Sequence, residues 1–426
     1  MLSYFSIQNF KSILNLKLDL SFAEGKAPNN YEDSEFLPFV GTHARNVPVL
    51  ALYGANGSGK TNVLQALNTF MRAIVFGVQG IYHPNKLNPK YTSTTFEMGV
   101  YKEDVLYIYT ISYNHKGISY EALYKKNKEH PIFEIKDGVC YFDKISTNEY
   151  TSQRLEEIYK VECKNAENQQ IRTFLSRVAR NYVGLNQELV IAWKQLTDFI
   201  EIYPQNDISL PYVLERLAKN PTPEKISEAF NRITSILKKL DININKMTWD
   251  RKYQVIEDPA KPINGLDENV TFYRPSNNVL VKDNIRSYHT DVNGKEVVFN
   301  FNEESSGTIT LASVLGLCLC ALDRGSILCI DELDRSLHSR LLVEIVRMFK
   351  DKRYNKTNAE LLFTAHNTDI LDDGLMRVSE VGVINKTERE GSTIKRISDF
   401  GGKRNVTNFR KQYLDGLFSG VPFPYI

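Results

Sequence analysis

Residues 54–61 read GANGSGKT and match the pattern GxxxxGK[ST] in full. The apolar run 47–53 precedes them, and residues 62–76 follow with apolar side chains at helical spacing. A strand, a glycine-rich turn and a helix in this order predict a site for nucleotide phosphates. The backbone N–H groups of such a turn curl around phosphate oxygens at the positive end of the helix. The segment therefore predicts an α/β core.

Each residue type in this loop has a chemical task. Lys60 is expected to reach the β and γ phosphates, and the Thr61 hydroxyl is expected to bind Mg²⁺. The alternative is a plain glycine turn before a helix, which the strand and helix on either side disfavour. The predicted nucleotide-binding residues of the loop are Gly54, Asn56, Gly57, Ser58, Gly59, Lys60, Thr61 and Asn62.

A second apolar run, residues 326–330, ends in Asp331 and Glu332. A strand this apolar is buried on both faces, and doubly wound folds place ligands at the carboxyl ends of such strands. We expect Asp331 to hold Mg²⁺ and Glu332 to polarise the attacking water as a general base. Taken without the phosphate loop, two acids after a strand equally suit the cap of the next helix.

A third apolar run, 361–365, is followed by His366. A histidine at the end of a strand is often a structural hydrogen bonder. Since this is the third strand end of the same core, we expect His366 to bond an oxygen of the γ phosphate and to report its presence.

Residues 303–308 read EESSGT and precede the apolar stretch 309–322. A turn of serine and glycine at a helix N-terminus is an anion site in its own right. It does not easily serve the same phosphates as residues 54–61, because one cradle suffices for one nucleotide. Read by itself, the segment is a capped helix start.

Composition excludes some classes of protein. The chain of 426 residues is 42% hydrophobic and 24% charged, as folded proteins are. Its net charge of +2 gives no global signal for nucleic acid. The apolar stretch 311–322 is too short to span a bilayer, and the first residues lack a secretory pattern. Five cysteines without CxxC spacing favour buried free thiols over disulfides or zinc. We expect a cytoplasmic protein without a membrane segment.

Hydrophobic patterns divide the chain. The break at residues 9–12 predicts a β-hairpin, and the aromatic and β-branched runs of 94–145 predict an antiparallel sheet. Residues 152–248 read mainly as helices, the clearest of which begins at Thr222 and Pro223. The predicted domains are an N-terminal lobe with the phosphate loop and a β-subdomain (1–150), a mainly helical insertion (151–267) and a C-terminal lobe with residues 305–308, Asp331 and His366 (268–426).

The order of these segments resembles a known family. NFKSI at 9–13, the phosphate loop, SSGT at 305–308, DELDRSLH at 331–338 and TAHN at 364–367 follow one another as in bacterial ABC/AAA-type ATPases of the SMC-like and overcoming-lysogenisation-defect kinds. The tail, with NFRKQYLDG at 408–416 and GVP at 420–422, resembles the abortive-infection ATPases of the AbiL and RloA type. The resemblance covers about 1–100 and 268–426. It implies a P-loop NTPase of the ABC-ATPase type, with a mixed sheet, a flanking antiparallel β-subdomain and a helical insertion.

The resemblance also implies roles for residues. ATP and Mg²⁺ would be the cofactors, Asp331 the Walker B acid, Glu332 the catalytic acid and His366 the switch. Ser305, Ser306, Gly307 and Thr308 would form a signature that closes on the nucleotide of a partner subunit, and residues 334–338 a dimer-facing loop. The signature departs from the usual Leu-Ser-Gly-Gly-Gln. The usual glutamine of the Mg²⁺-sensing loop has only Gln79 and Asn88 as candidates.

The function implied is an ATP-hydrolysing sensor ATPase of a bacterial anti-phage, abortive-infection system. It would form an ATP-dependent dimer or larger homo-oligomer and act through a separately encoded toxic effector, a nuclease. We expect no appended nuclease domain in the chain, and the insertion, 152–248, is the candidate docking surface. The alternative is an SMC-like DNA-repair or chromosome-maintenance ATPase that acts on nucleic acid directly.

Two further observations bear on the alternatives. Residues 385–411 hold eight Lys and Arg against three acids, which suits either a phosphate-contact surface or a solvated face. A transporter ATPase is disfavoured because the gap from Thr61 to Ser305 exceeds what such compact domains carry.

Overall fold

The computed structural model describes residues 1–21, 39–40, 44–143, 149–165, 167–198, 200–203, 210–211, 213–214, 222–255, 271–273, 279–371, 375–400 and 408–421. Most of the polar segment 22–46 lies outside the described residues. The strands are β1 (Leu2–Phe10), β2 (Ile13–Asp19), β3 (Phe39–Val40), β4 (Ala44–Arg45), β5 (Val49–Tyr53), β6 (Thr94–Lys102), β7 (Val105–Asn114), β8 (Gly117–Lys125), β9 (Phe133–Lys136), β10 (Val139–Phe142), β11 (Ile200–Tyr203), β12 (Lys246–Val255), β13 (Thr271–Tyr273), β14 (Val279–Thr290), β15 (Glu296–Asn300), β16 (Ile327–Ile330), β17 (Glu360–Thr364), β18 (Val381–Thr387) and β19 (Gly391–Arg396). The helices are α1 (Lys60–Phe76), α2 (Glu149–Ile158), α3 (Phe174–Asn181), α4 (Gln187–Thr197), α5 (Pro223–Lys239), α6 (Ser306–Arg324), α7 (Ser339–Lys350) and α8 (Phe409–Leu414).

One compact unit comprises Met1–Gln205, Ala321–Leu333 and Val346–Ile426. Its thirteen-stranded sheet has the order β10-β9-β8-β7-β6-β1-β2-β19-β18-β5-β17-β16-β11. Four neighbouring pairs are parallel, namely β18–β5, β5–β17, β17–β16 and β16–β11. All the other pairs of this sheet are antiparallel. The predicted α/β fold, with a mixed sheet and a flanking antiparallel part, is confirmed.

The burial pattern of several strands explains why the sequence predicted them. Every residue of β5, β16 and β17 is buried, which matches their continuous apolar runs. In β2, by contrast, buried and solvent-facing residues alternate along most of the strand. The predicted hairpin is present, with Phe10 paired to Ile13 across the turn.

Helix α1 packs against the antiparallel strands and thereby fixes the phosphate loop that precedes it. The Phe70 ring lies 5.4 Å from Phe5 and 5.9 Å from Phe96, measured between centroids. All three rings are fully buried. Burying one such side chain stabilises the fold by about 2–3 kcal/mol. The packing of Phe70 against these strands therefore fixes the position of α1, and with it the phosphate loop at its start.

The second compact unit comprises Asn206–Cys320 and Asp334–Ile345. It contains a four-stranded antiparallel sheet in which β14 pairs with β12, β13 and β15. Helix α5 begins as expected, with the Thr222 hydroxyl accepting the Lys225 N–H at 3.4 Å. Ile233 and Leu237 lie buried on its inner face.

Helix α6 is long and apolar enough to cross a membrane, by length and composition alone. Its apolar window is 67% buried inside the protein, as in the core helix of a folded domain. This agrees with the expectation of a buried helix at 311–322.

Strand β11 lies in a stretch whose composition predicts mainly helices. It pairs in parallel with β16, placing Ile200 opposite Ile327. A four-residue strand is too short to show a period against flanking helical patterns, so its pairing partner decides its structure. The three-part domain division stays a prediction. All five cysteines are free, and four of them are buried as expected, whereas Cys140 is half-buried.

Candidate nucleotide site

Three neighbouring parallel strands, β5, β17 and β16, end at one edge of the large sheet. Leu52 of β5 pairs with Thr364 of β17, and Phe363 pairs with Ile330 of β16. The glycine-rich loop follows β5, His366 follows β17 and the two acids follow β16. Since carboxyl ends of parallel strands meet at the same edge, the structure brings these three predicted elements together.

The phosphate loop is shaped by glycines in left-handed conformations. Gly57 has φ +76° and open space around the place of a side chain, so its requirement is conformational. Gly59 has φ +106°, and an added Cβ would clash with the Ser392 and Ser12 hydroxyl oxygens. Asn56 and Gly57 are exposed at the crest of the loop, which leaves it open to a ligand.

Two side chains of the loop are almost fully buried. Lys60 is 6% exposed, and its Nζ donates to the carbonyl oxygens of Gly54 at 2.8 Å and Ala55 at 3.3 Å. Ser58 is 5% exposed, and its Oγ has no hydrogen-bond partner among the described residues. A buried hydroxyl without a partner is costly, and a phosphate oxygen would satisfy it.

Asp331 is buried at the end of β16. Its Oδ1 accepts a hydrogen bond from the Thr364 hydroxyl at 2.6 Å, while its Oδ2 has no partner among the described residues. An unpartnered carboxylate oxygen that is 5% exposed suits a cation. Mg²⁺ bound at nucleotide phosphates takes one or two protein ligands beside phosphate and water oxygens, so the predicted pair Thr61 and Asp331 fits this ion.

Glu332 adopts a left-handed backbone, with φ +49°. Its backbone N–H donates to the Thr364 hydroxyl oxygen at 2.7 Å. Strained backbone in a non-glycine residue persists where surrounding contacts enforce it, often at functional sites. Thr364 therefore orients both acids, a role that the sequence did not reveal. The available signal was a hydroxyl residue at the end of an otherwise apolar strand.

His366 lies exposed just beyond β17. The loop that follows it is held by the Tyr53 hydroxyl, which donates to the Asn367 carbonyl oxygen at 2.6 Å. The structure thus places the predicted switch at the same edge as the phosphate loop and ties the loop after it to the end of β5.

A group of polar side chains from distant segments lies under the start of α1. The Asn62 amide donates to the Ser12 hydroxyl at 2.7 Å. The Ser392 hydroxyl lies 2.7 Å from the Ser12 oxygen and 2.6 Å from the Ser58 carbonyl oxygen. Asn62 thus faces the β1–β2 hairpin. Ser392, from β19, was not a sequence candidate, since nothing local distinguishes it.

The predicted signature lies in the second compact unit. The Ser305 hydroxyl accepts the Thr308 N–H at 3.1 Å, so this turn is a capped helix start. Glu304 anchors the turn to β14, since its Oε1 accepts from the Ser287 hydroxyl at 2.5 Å. A Cβ on Gly307 would lie 3.2 Å from the Ser336 carbonyl oxygen. The predicted signature and dimer-facing loop therefore lie side by side, with Ser306 exposed.

The two candidates for the Mg²⁺-sensing glutamine lie in the segment after α1. Gln79 is exposed in a turn, and the Asn88 side chain accepts the Lys90 N–H at 3.3 Å. Their role stays a prediction. Among the described ranges there is no cluster of three or more His, Cys, Asp or Glu that could hold a metal ion.

The family model described as "AAA domain, putative AbiEii toxin, Type IV TA system" matches residues 49–372. The chain belongs to this family. The match spans the phosphate loop, the carboxylate pair and His366. The resemblance to AAA-type ATPases of the abortive-infection kind is confirmed. No curated protein resembles the chain closely enough to count as a match.

Two solved structures are similar to the chain at low identity. The SMC head domain from Thermotoga maritima is 12% identical, covering 93% of this chain and 98% of its own, with a TM-score of 0.43. An SMC head bound to the C-terminal winged-helix domain of ScpA is 11% identical, covering 92% and 96%, with a TM-score of 0.37.

Proposed function

We propose that this protein is a Mg²⁺-dependent ATPase that regulates a bacterial anti-phage, abortive-infection system through a separately encoded toxic effector. The observation that carries the ATPase proposal is the adjacency of β5, β17 and β16. A phosphate loop, an exposed histidine and two acids emerge side by side from these strands. Their chemistry matches the parts that phosphoryl transfer needs: positioning and charge neutralisation.

Each group has one task in this proposal. Lys60 binds the β and γ phosphates, and the Ser58 hydroxyl bonds a phosphate oxygen. Thr61 and Asp331 hold Mg²⁺, which neutralises phosphate charge when bound. Glu332 accepts a proton from the attacking water. His366 bonds the γ phosphate.

ATP-dependent self-association is the second part of the proposal. Ser306 and Gly307 lie beside Ser336 in the second compact unit, so one surface would present both segments to a partner subunit's nucleotide. We expect ATP to promote association in sedimentation experiments.

Mixing Lys60→Ala with Gly307→Asp subunits tests this part further, because the mixture restores one intact site per dimer. The expected result is recovery of ATPase activity. If the protein stays monomeric with both ADP and ATP, the turn at 305–308 serves only as a helix cap.

The defence role rests on the family to which the chain belongs, whose description names a toxin of a type IV toxin–antitoxin system. A toxin–antitoxin system has two components, which supports a second gene product. We propose that this product is a nuclease encoded beside the ATPase. The five free cysteines suit a reducing cytoplasm.

The test combines an ATPase assay of the pure chain, a nuclease assay with Mg²⁺ or Mn²⁺, and a pull-down of the neighbouring gene's product. We expect ATP turnover, no cutting and a bound partner. Nuclease activity that survives purification but disappears in Glu332→Gln would contradict the division of labour.

Direct action on nucleic acid is supported less well. Of the basic residues in 385–411, Arg396 donates to the Ser21 carbonyl oxygen at 2.9 Å, and Arg410 pairs with Asp369 at 2.9 Å. These two cations serve internal contacts, which reduces the charge available for a phosphate surface. DNA-stimulated turnover without any bound protein partner would reverse this preference.

A further inference from the structure

The C-terminal helix α8 and the residues after it contact the nucleotide site at two places. The Tyr413 ring packs edge-on against Tyr53, the last residue of β5, with 5.6 Å between centroids. Arg410, one turn earlier, reaches the loop that follows His366. One short helix therefore touches both the segment before the phosphate loop and the segment after the histidine.

The Tyr413 hydroxyl lies near the backbone N–H of Gly54, the first glycine of the phosphate loop. It donates to the Gly420 carbonyl oxygen at 3.3 Å. Burial raises the pKa of Tyr413 to about 12, although the nearby Gly54 N–H lowers it. The phenol therefore keeps its proton at neutral pH and remains both a donor and an acceptor.

Gly420 lets the residues after α8 pack closely against the phosphate loop. It has φ +74°, and an added Cβ would clash with the Val383 Cγ1 and lie 3.5 Å from the Gly54 Cα. Both the backbone conformation and the space require glycine here. The tail is thus fitted closely onto β18 and the phosphate loop.

Arg410 holds the loop after the histidine through its charge. Its Nε donates to the Thr368 hydroxyl at 3.1 Å, and its Nη2 lies 2.9 Å from the Asp369 Oδ1. The Tyr53 hydroxyl fixes the neighbouring Asn367 carbonyl from the other side. The backbone next to His366 is therefore restrained by both β5 and α8.

We infer that α8 is a clamp that ties the phosphate loop to the loop after His366, with Tyr413 and Arg410 as positioning residues for two different steps. Tyr413 sets the loop that would hold the phosphates common to ADP and ATP. Arg410 sets the histidine that would meet only the γ phosphate. The inference rests on the proposed ATPase function.

The experiment compares Tyr413→Phe and Arg410→Gln in the full chain. Tyr413→Phe keeps the ring but removes the hydroxyl that lies near Gly54 and bonds the Gly420 carbonyl oxygen, which holds the tail on the phosphate loop. ADP and ATP should therefore both bind roughly tenfold more weakly by calorimetry. Arg410→Gln should lower kcat roughly tenfold and leave the Kd for ADP unchanged. Arg410→Lys should recover part of the turnover.

Matched controls are Tyr354→Phe and Arg353→Gln, whose side chains are exposed near the end of α7. Both should behave as wild type. Asp369→Asn should reproduce the kcat defect of Arg410→Gln, and the double variant should add nothing to either single one. The Asp369→Asn variant tests the same contact if Arg410→Gln folds poorly.

The outcomes separate the two proposals. If the wild-type protein binds no ATP, the proposed ATPase function is wrong. A wild-type chain that hydrolyses ATP, together with variants that match it, would overturn the clamp. Variants that lose ADP binding and turnover equally would show that α8 supports stability alone.

Discussion

On the antiparallel side of the large sheet, the buried carboxylate of Glu121 accepts hydrogen bonds from four donors. They are the Tyr109 hydroxyl at 2.9 Å, the Gln170 amide at 2.6 Å and the backbone N–H groups of Phe174 and Leu175 at 2.8 and 2.9 Å. On the parallel side, the buried carboxylate of Asp331 has one bonded oxygen and one without a partner among the described residues.

The difference separates a structural acid from a candidate ligand. Glu121 joins β8 to the start of α3, and its saturated oxygens leave nothing for a ligand to bind. Asp331 leaves a buried anionic oxygen facing no donor, which costs free energy that a bound cation would recover. The fully bonded carboxylate of Glu121 thus acts in the fold, and the unpartnered oxygen of Asp331, at the carboxyl end of a strand beside the phosphate loop, makes it a candidate ligand.

The largest effect is expected at Lys60. Lys60→Ala should reduce ATP affinity by roughly three orders of magnitude, because two or more charged hydrogen bonds are lost. Because the Lys60 side chain is almost fully buried and bonds two loop carbonyl oxygens, the free energy of unfolding should fall by about 1–3 kcal/mol, which still leaves the variant folded. Calorimetric titration and urea unfolding measure the two quantities, with exposed Lys128→Ala as the control. Undiminished affinity in a folded variant would remove the phosphate-loop assignment.

Glu332→Gln should keep ATP binding but slow turnover on the order of 10²-fold or more, since the variant lacks the water-polarising carboxylate. Asp331 and its Thr364 bond remain, so the ATP-bound assembly should accumulate. Phosphate release under saturating ATP is the measurement, and exposed Glu390→Gln is the control. Wild-type turnover would leave Glu332 as an ordinary turn residue.

A matched pair of substitutions tests the contrast between the two carboxylates. Glu121→Ala leaves buried donors without an acceptor and should lower the free energy of unfolding by about 3 kcal/mol. Asp331→Asn keeps an acceptor for the Thr364 hydroxyl and removes a buried charge that lacks a partner among the described residues, so it should lower the free energy of unfolding by no more than about 1 kcal/mol. It should weaken the Mg²⁺ dependence of ATP binding. Urea unfolding and Mg²⁺ titrations distinguish them. If both variants lose the same free energy of unfolding, the proposed difference between a structural Glu121 and a ligand-binding Asp331 is wrong.

The smallest effect concerns pH. Burial raises the pKa of Glu121 to about 7, and its four donors offset this only in part. In the unfolded chain this carboxyl group ionises near its ordinary value of 4.5. Its stabilising contribution is therefore complete below pH 4.5 and is lost as the pH rises towards 7.

From pH 5 to 7 the loss should amount to about 2 kcal/mol. Glu121→Gln should flatten this slope, and the difference between its unfolding curves and those of wild type isolates the group. Glu360, whose pKa burial also raises to about 7, is present in both proteins and cancels. Identical slopes would show that Glu121 stays ionised in the fold.

Several elements of this fold could be predicted from local sequence signals. The glycine pattern of 54–61, the continuous apolar runs of β5, β16 and β17, and the alternation in β2 each span a few consecutive residues. Backbone conformation and burial follow directly from such patterns. They predicted the phosphate loop, an α/β core, and the strand ends where Asp331 and His366 lie.

The residues that support these groups could not be predicted in this way, because long-range contacts bring them together. Thr364 meets Asp331 from 33 residues away, and Ser392 meets Ser58 from 334 residues away. Tyr413 reaches Gly54 only because the tail returns to β5. The order of strands and the close seating of Gly420 create these contacts, and no local periodicity encodes them. A serine, a threonine or a tyrosine acquires its partner from the fold, since hydrogen bonds act over a few ångströms and not along the chain.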